Sequence, residues 1–128
     1  MNWTLFLIVL ALCESDGRMD AVGDIHMTNK AYGCLQIRQP YLDDANRIAG
    51  TSYTMDQVRN SRALSKWCAV TYLRHYGAHY ERVTGNQASY EVLARIHNGG
   101  PSGWRKTSTE GYWKRYQRKA REHARRNQ

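Results

Sequence analysis

The stretch that decides the fold is Ala94-Arg95-Ile96-His97-Asn98-Gly99-Gly100-Pro101. Its apolar residues Ala94 and Ile96 continue a segment that Ser89 can cap, so a helix is predicted to begin after that serine. The two glycines accept backbone angles that other residues avoid, and the proline cannot continue a helix. Taken alone, the pattern indicates a helix end with a glycine cap.

Three other short motifs accompany this stretch. The sequence reads Cys-Glu-Ser over residues 13–15, Gly-Cys-Leu-Gln-Ile over 33–37 and Gly-Tyr-Trp over 111–113. In this order the four motifs resemble the lysozyme superfamily, most closely the invertebrate-type (destabilase-like) lysozymes and their bacterial and phage relatives. Goose-type lysozymes and soluble lytic transglycosylases share a looser version. The resemblance covers roughly residues 3–116, and its most specific part is the Asn-Gly-Gly-Pro block.

The length and the charge limit the possible functions. A chain of 128 residues predicts a single domain over 1–128. The net charge is +8, and residues 104–128 carry nine Lys and Arg against two Glu. Such a basic segment attracts polyanions, of which nucleic acid, anionic lipid and the acidic polymers of a bacterial cell wall are candidates. The alternative is a basic tail that serves only solubility.

The chain has three cysteines, Cys13, Cys34 and Cys68. A secreted disulfide scaffold would use more of them, in pairs, and animal invertebrate-type lysozymes resemble such scaffolds. The chain departs from them here. We therefore expect buried free thiols and folding in a reducing compartment, which favours a bacterial or phage origin.

The N-terminal apolar run, residues 5–13, has two interpretations. It is too short to cross a bilayer, which takes about 17–25 residues, but its length suits the core of a signal peptide. Residues 1–4 carry no Lys or Arg, however, so the usual basic segment is missing. The favoured interpretation is a buried first helix that Asn2 or Thr4 caps and that ends near Glu14.

Capping residues, glycines and prolines place the remaining elements. They predict a loop over 16–28, a hairpin or turn over 29–37 and a helix over 40–49 that Gly50 caps. A capping box at Thr54 begins a helix of some twenty residues, which Gly77 ends. A capping box at Thr107 begins a basic C-terminal helix over about 110–126. Helical spacing in the long helix predicts a core stripe: Leu64, Trp67, Cys68, Thr71, Tyr72 and Tyr76. The predicted class is α+β, mostly helical, with a lysozyme-like fold and a small irregular or β lobe beside a cleft.

Glu14 is the first candidate for catalysis. A carboxyl group directly after nine apolar residues is expected to be partly buried, and burial raises the pKa of a carboxyl. A raised pKa lets a general acid keep its proton near neutral pH, as the acid of lysozyme does. Position alone favours a surface Glu at a helix end; the resemblance reverses this and favours the catalytic role.

The second candidate is Asp24. Glycoside hydrolysis usually pairs the acid with a second carboxylate, and the resemblance places that Asp on the loop after the first helix. Asp24 fits the bacterial relatives best, and Asp20 is the alternative. The spacing from Asp24 to Gln36 is two residues longer than in the animal pattern. A loop Asp that bonds its own backbone is the structural alternative.

The resemblance also implies a set of substrate-binding residues: Ser15, Tyr32, Gln36, His97, Asn98 and Tyr112. Ser15 would orient the Glu14 carboxyl, and Asn98 would hold a sugar substituent. His97 has a second interpretation, as a packed or hydrogen-bonded histidine. His75 and His79 are the only histidines at helical i, i+4 spacing, and we expect neither a metal nor a cofactor.

Together these features predict a peptidoglycan hydrolase, a bacteriolytic glycosidase of the lysozyme or endolysin kind. It would cleave the β-1,4 link between N-acetylmuramic acid and N-acetylglucosamine. A lytic transglycosylase that uses one Glu is the first alternative; a non-catalytic basic binding module of lysozyme-like shape is the second. The predicted partners are peptidoglycan and, through the basic C-terminal helix, the anionic cell surface, with no nucleic acid. We expect a monomer that is made in a reducing cytoplasm and acts on the cell wall.

Overall fold

The computed structural model describes all residues, 1–128, and divides the chain into two compact units, residues 1–72 and 73–128. Its elements are α1 (Trp3–Ser15), β1 (Val22–Gly23), β2 (Ala31–Tyr32), α2 (Gln39–Ala49), α3 (Met55–Arg59), α4 (Arg62–Thr84), α5 (Tyr90–Gly99) and α6 (Glu110–Arg126), with short 3-10 turns at Gly103–Arg105 and Thr107–Thr109. The chain is thus mostly helical with one small sheet, which confirms the predicted class. None of its helices has both the length and the apolar character needed to span a membrane. The prediction of one domain stays a prediction.

The first helix forms as predicted. Asn2 caps α1, because its Oδ1 accepts a hydrogen bond from the Leu5 N–H at 3.0 Å. Phe6, Val9 and Leu10 of this helix are at most 1% exposed. The helix ends at Asp16, whose left-handed backbone (φ 56°) turns the chain away. The apolar run therefore serves as a core helix in the folded chain.

The polar region after α1 holds the small sheet. Strands β1 and β2 pair antiparallel, with Val22 opposite Tyr32 and Gly23 opposite Ala31. The predicted turn over 29–37 is confirmed, since Tyr32 and Ile37 exchange two main-chain hydrogen bonds of 2.9 Å. The prediction of loop throughout 16–28 is wrong at residues 22–23. This strand is only two residues long, and its pairing depends on a partner that local sequence does not reveal.

The prediction of one long helix that begins at the Thr54 capping box and ends at Gly77 is wrong at both ends. The Thr54 capping box forms, but it begins a helix of only five residues, and α4 begins separately after Ser61, whose Oγ accepts from the Leu64 N–H at 3.1 Å. Gly77 does not end α4, which continues to Thr84. A Cβ at Gly77 would lie 3.0 Å from Cδ2 of Leu93, so this glycine allows close packing of α4 on α5.

The core stripe of α4 is displaced from the predicted one. Of the predicted residues, Cys68 and Tyr72 are buried, whereas Leu64, Trp67, Thr71 and Tyr76 are half-buried. The stripe that is fully buried consists of Ser65, Cys68, Ala69, Tyr72 and Leu73. A serine fits here because its Oγ donates to the Val58 carbonyl at 2.8 Å, which satisfies the buried hydroxyl.

The capping box predicted at Thr107 does not form. Residues Thr107–Thr109 make a 3-10 turn, and α6 begins at Glu110 without a side-chain cap. Thr109 is instead 1% exposed, and its Oγ1 donates to the Gly103 carbonyl at 2.7 Å. The same oxygen accepts from Nε of Arg95 at 2.8 Å. Tertiary contacts therefore hold Thr109 in the core, and Thr107 lies in the 3-10 turn and does not cap α6.

A substitution at Gly103 can test how closely its 3-10 turn packs against the main chain of Arg95. A Cβ at Gly103 would overlap the main-chain carbonyl oxygen of Arg95, and backbone cannot rotate aside as a side chain can. We expect Gly103→Ala to lower the free energy of unfolding by about 1–3 kcal/mol, the usual range for overpacking. The matched control is Gly111→Ala, because a Cβ there meets nothing within 4 Å and alanine favours the helix by up to about 1 kcal/mol. Urea unfolding of both variants measures the difference, and equal stabilities would contradict the packing.

Candidate active site

Glu14 lies in the last turn of α1, half-buried between the buried residues Cys13 and Ser15. Tyr41 is an electrostatic neighbour of Glu14 that the sequence did not single out. Burial, with smaller contributions from Cys68, Tyr72 and Glu14, raises the pKa of Tyr41 well above its ordinary value of 10.0. This phenol therefore stays protonated and neutral near the carboxyl of Glu14.

Ser15 fixes the end of α1 to a distant turn. Its buried hydroxyl donates to the carbonyl of Cys34 at 2.8 Å and also lies 3.2 Å from the carbonyl of Ala11. Because Glu14 is the preceding residue, this bond holds the candidate acid against residues 33–37. That Ser15 orients the Glu14 carboxyl stays a prediction; the structure shows that its hydroxyl bonds the main chain at Cys34.

Asp24 is exposed, and it lies directly after β1 with a left-handed backbone (φ 53°). Its Oδ2 forms an ion pair with Nη2 of Arg38. The same guanidinium donates through Nη1 to the carbonyl of Asn29 at 2.7 Å. Arg38 thus holds both Asp24 and the loop that follows it. No motif marked this arginine, because its role depends on the fold of the hairpin.

Gln36 braces the small sheet from inside the turn. Its Nε2 donates to the carbonyls of Gly33 at 3.0 Å and of Ala21 at 3.3 Å. Its Oε1 fills the space that a Cβ at Gly23 would occupy. The backbone of Gln36 is left-handed (φ 52°), a conformation that costs energy in any residue with a side chain. These contacts fix the turn that Ser15 anchors.

Tyr32 and Asp20 complete the candidates in residues 1–72. Tyr32 is half-buried at the end of β2, and the guanidinium of Arg59 lies over its ring, with Cζ 4.3 Å from the centroid. Asp20 is exposed on the loop before β1. Within these residues the structure gives Asp24 an ion-pair partner and a strained backbone, features that distinguish it from a freely solvated loop carboxylate.

The remaining candidates lie in residues 73–128. Asn98 is exposed in the last turn of α5, whereas His97 is 8% and Tyr112 5% exposed. Asn98 is thus free to meet a ligand. The burial of His97 and Tyr112 gives both side chains a place in the core, which favours packing for the histidine.

The glycine-rich loop after α5 is braced by two basic side chains. Arg95 pairs with Glu91 at 2.9 Å and donates through Nη2 to the carbonyl of Lys106 at 2.8 Å. Lys106 in turn donates through Nζ to the carbonyl of Gly99 at 2.7 Å. Gly100 ends the helix with a positive φ of 87°, as its glycine predicts. The Arg of the Ala-Arg-x-His-Asn motif therefore orders the loop beside Asn98.

All three thiols are free and buried, as the sequence predicted. Burial raises the pKa of Cys34 above its ordinary value and that of Cys68 to about 12. Neither forms a reactive thiolate at neutral pH. No group of three or more His, Cys, Asp and Glu side chains is placed to hold a metal ion.

Glu14 thus lies at a helix end that Ser15 anchors to the Gly-x-x-Gln-Ile turn over residues 33–37, and known proteins share this sequence. The model of the family described as Destabilase matches residues 8–119. The chain belongs to the destabilase family. It is 34% identical to a lysozyme of Meretrix lusoria over 84% of this chain and 83% of that one. It is 41% identical to lysozyme 1 of Crassostrea virginica over 66% of this chain, but spans only 42% of that relative's length.

Solved structures agree with this family. The inhibitor-bound lysozyme of Meretrix lusoria matches with a TM-score of 0.74 and 30% identity, over 89% of this chain and 87% of that one. The lysozyme of Tapes japonica matches with a TM-score of 0.73 and 26% identity, over 88% and 86%. These matches confirm the predicted lysozyme-like fold. They also confirm the enzyme class, since proteins named lysozymes are glycoside hydrolases.

The anchor at Ser15 yields a stability test. Ser15→Ala leaves the buried carbonyl of Cys34 without its donor, which costs about 1–3 kcal/mol. The matched control is Ser108→Ala, an exposed serine whose loss should stay within about 0.5 kcal/mol. Urea denaturation of the two variants measures both changes. If Ser15→Ala unfolds like its control, the hydroxyl is no anchor.

Proposed function

We propose that the protein is a muramidase, which hydrolyses the β-1,4 link between N-acetylmuramic acid and N-acetylglucosamine in bacterial peptidoglycan. The observation that carries the proposal is the anchored Glu14, at the end of α1 and next to the serine that bonds Cys34. Membership of the destabilase family supports it, because members with similar sequences are named lysozymes.

In this mechanism Glu14 donates its proton to the oxygen of the leaving sugar. Tyr41 stays neutral beside it, so it does not compete for that proton. Asp24 stabilises the positively charged transition state, positions the attacking water or forms a covalent intermediate. The separation of the two carboxyls in a substrate complex distinguishes the last two, since about 5 Å fits retention and about 6.5–9.5 Å fits inversion.

The other candidate residues would hold the sugar. Asn98 is exposed beside a loop that Lys106 braces, so its amide can bind an N-acetyl group or hydroxyl. Tyr32 offers an aromatic ring for the apolar face of a sugar. Gln36 and Ser15 support the site through the main chain, and their contribution is placement of Glu14.

Replacing the proposed acid tests the mechanism. We expect Glu14→Gln to abolish lysis of purified cell walls, at least a hundredfold, because an amide keeps the shape but cannot donate the proton. The circular dichroism spectrum and melting temperature should stay close to those of the wild type. Full lysis by a normally folded Glu14→Gln variant would remove Glu14 from this role.

The variant Asp24→Asn distinguishes a muramidase from a lytic transglycosylase. A muramidase that needs two carboxyls should lose most of its lytic activity in this variant. A lytic transglycosylase, which uses one Glu, should keep it. The exposed carboxyl makes a folding defect small, and the melting temperature of Asp24→Asn checks this.

We further propose that α6 holds the enzyme on its anionic, insoluble substrate. Its basic residues are Lys114, Arg115, Arg118, Lys119, Arg121, Arg125 and Arg126, of which all but Lys119 are exposed. Two of them lie near one carboxylate, since Glu122 is 3.8 Å from Arg118 and 4.0 Å from Lys119. The face therefore keeps a large net positive charge.

Changing Arg118, Lys119 and Arg121 together to Gln should reduce binding to whole cell walls at low salt. The effect should fade as salt rises, because the screening length falls from about 10 Å at 0.1 M to about 3 Å at 1 M. Cleavage of a short soluble oligosaccharide should barely change.

The matched control removes the same charge elsewhere, by changing the exposed residues Arg47, Lys66 and Arg82 to Gln. If both triple variants lose wall binding equally, net charge and not α6 is responsible. If the α6 variant loses both activities equally, the helix belongs to the catalytic fold.

The same proposal includes where the protein is made. The three buried cysteines form no disulfide, which supports folding in a reducing cytoplasm. The proposal continues with action on the wall as a monomer. The α6 tether suits such an enzyme, because the wall that it meets is anionic.

A further inference from the structure

A pocket of about 290 Å³ lies on residues 28–59 and includes no proposed catalytic carboxyl. Its polar lining comes from Thr28, Asn29, Lys30, Gln39, Asp56 and Arg59. Tyr32 forms one wall, with the Arg59 guanidinium over its ring. The pocket is therefore polar, with one aromatic surface and two cations against one carboxylate.

The two cations form no ion pair within the protein. Neither the Lys30 nor the Arg59 side chain donates a hydrogen bond to another residue, and the Arg59 guanidinium lies over the Tyr32 ring. Both side chains are half-buried, so they are partly removed from water without an anion to compensate. Such donors favour a ligand that brings a carboxylate or a similar anion.

The pocket is connected to the proposed catalytic Asp24. Asn29 and Lys30 lie on the loop that follows Asp24, and Arg38 joins the two by pairing with Asp24 and donating to the Asn29 carbonyl at 2.7 Å. Gln39, which lines the pocket, follows Arg38 directly. Arg38 therefore connects Asp24 to the part of the pocket that the hairpin lines.

We propose that this pocket binds a carboxylate of the peptide that peptidoglycan carries on its muramic acid. The inference rests on the proposed function and deepens it, because it makes the pocket a specificity site for peptide-bearing glycan over uncharged chitin. Arg59 and Lys30 bind the carboxylate, and Asp56 opposes it. Arg59 contributes more, since its planar guanidinium suits the two oxygens of a carboxylate.

The test compares two ligands that differ only in charge. One is the disaccharide-peptide released from cell wall by muramidase digestion; the other is the same compound with its peptide carboxylates converted to amides. Calorimetry should show that the wild-type protein binds the charged form about tenfold more tightly, the scale of one charge-assisted hydrogen bond.

Four variants localise that preference. Arg59→Gln should abolish it, Arg59→Lys should restore part of it, and Asp56→Asn should enlarge it. The control Arg47→Gln removes an exposed cation of α2 and should leave the preference unchanged. Melting temperatures close to that of the wild type show that loss of the Arg59–Tyr32 contact has not unfolded the hairpin.

The outcomes separate this inference from the function on which it rests. A wild-type protein that lyses cell walls but binds the two ligands equally overturns the pocket and leaves the muramidase intact. A preference that survives Arg59→Gln, or that falls equally in Arg47→Gln, also overturns the pocket. A wild-type protein that lyses no wall overturns both.

Discussion

The hydrogen bond from the Ser15 hydroxyl to the Cys34 carbonyl, at 2.8 Å, is the constraint on which the candidate site depends. It joins the end of a helix to a turn nineteen residues later, and both ends are buried. Gln36 then extends the constraint, because its amide donates from that turn to the Ala21 carbonyl before β1. The end of α1, and with it the main chain of the proposed acid Glu14, is thereby fixed to the turn.

A second constraint orders the loop after that helix. Arg38 pairs with Asp24 and holds the Asn29 carbonyl, so one guanidinium controls both the proposed second carboxylate and the start of the neighbouring pocket. In the proposed mechanism the hairpin supplies the Asp24 carboxylate close to the scissile bond. Its Lys30, together with Arg59 of α3, lines the neighbouring pocket that we propose for a substrate anion.

The features that sequence predicted correctly are those that local pattern determines. The Asn2 cap, the Gly50 cap and the Thr54 capping box all form, because each needs only residues within one helical turn. The predictions at Gly77 and Thr107 were wrong for the opposite reason. Gly77 packs against Leu93, and the turn that contains Thr107 is held by the bond from Thr109 to Gly103, so neither outcome follows from residues within one helical turn. Likewise, the candidate residues followed from the family resemblance. The roles of Arg38 and Tyr41 and the position of the pocket depend on the folded structure and were not predicted.

The central claim is that this chain hydrolyses the glycan of the bacterial wall, and the masses of its reaction products test it most directly. The measurement is mass spectrometry of the soluble fragments that the purified wild-type protein releases from peptidoglycan. Hydrolysis by Glu14 with water predicts fragments that end in reducing N-acetylmuramic acid. Fragments one water molecule lighter, with an anhydro ring, would contradict the hydrolase and identify a lytic transglycosylase. Release of no glycan fragment at all would contradict both and leave a binding module.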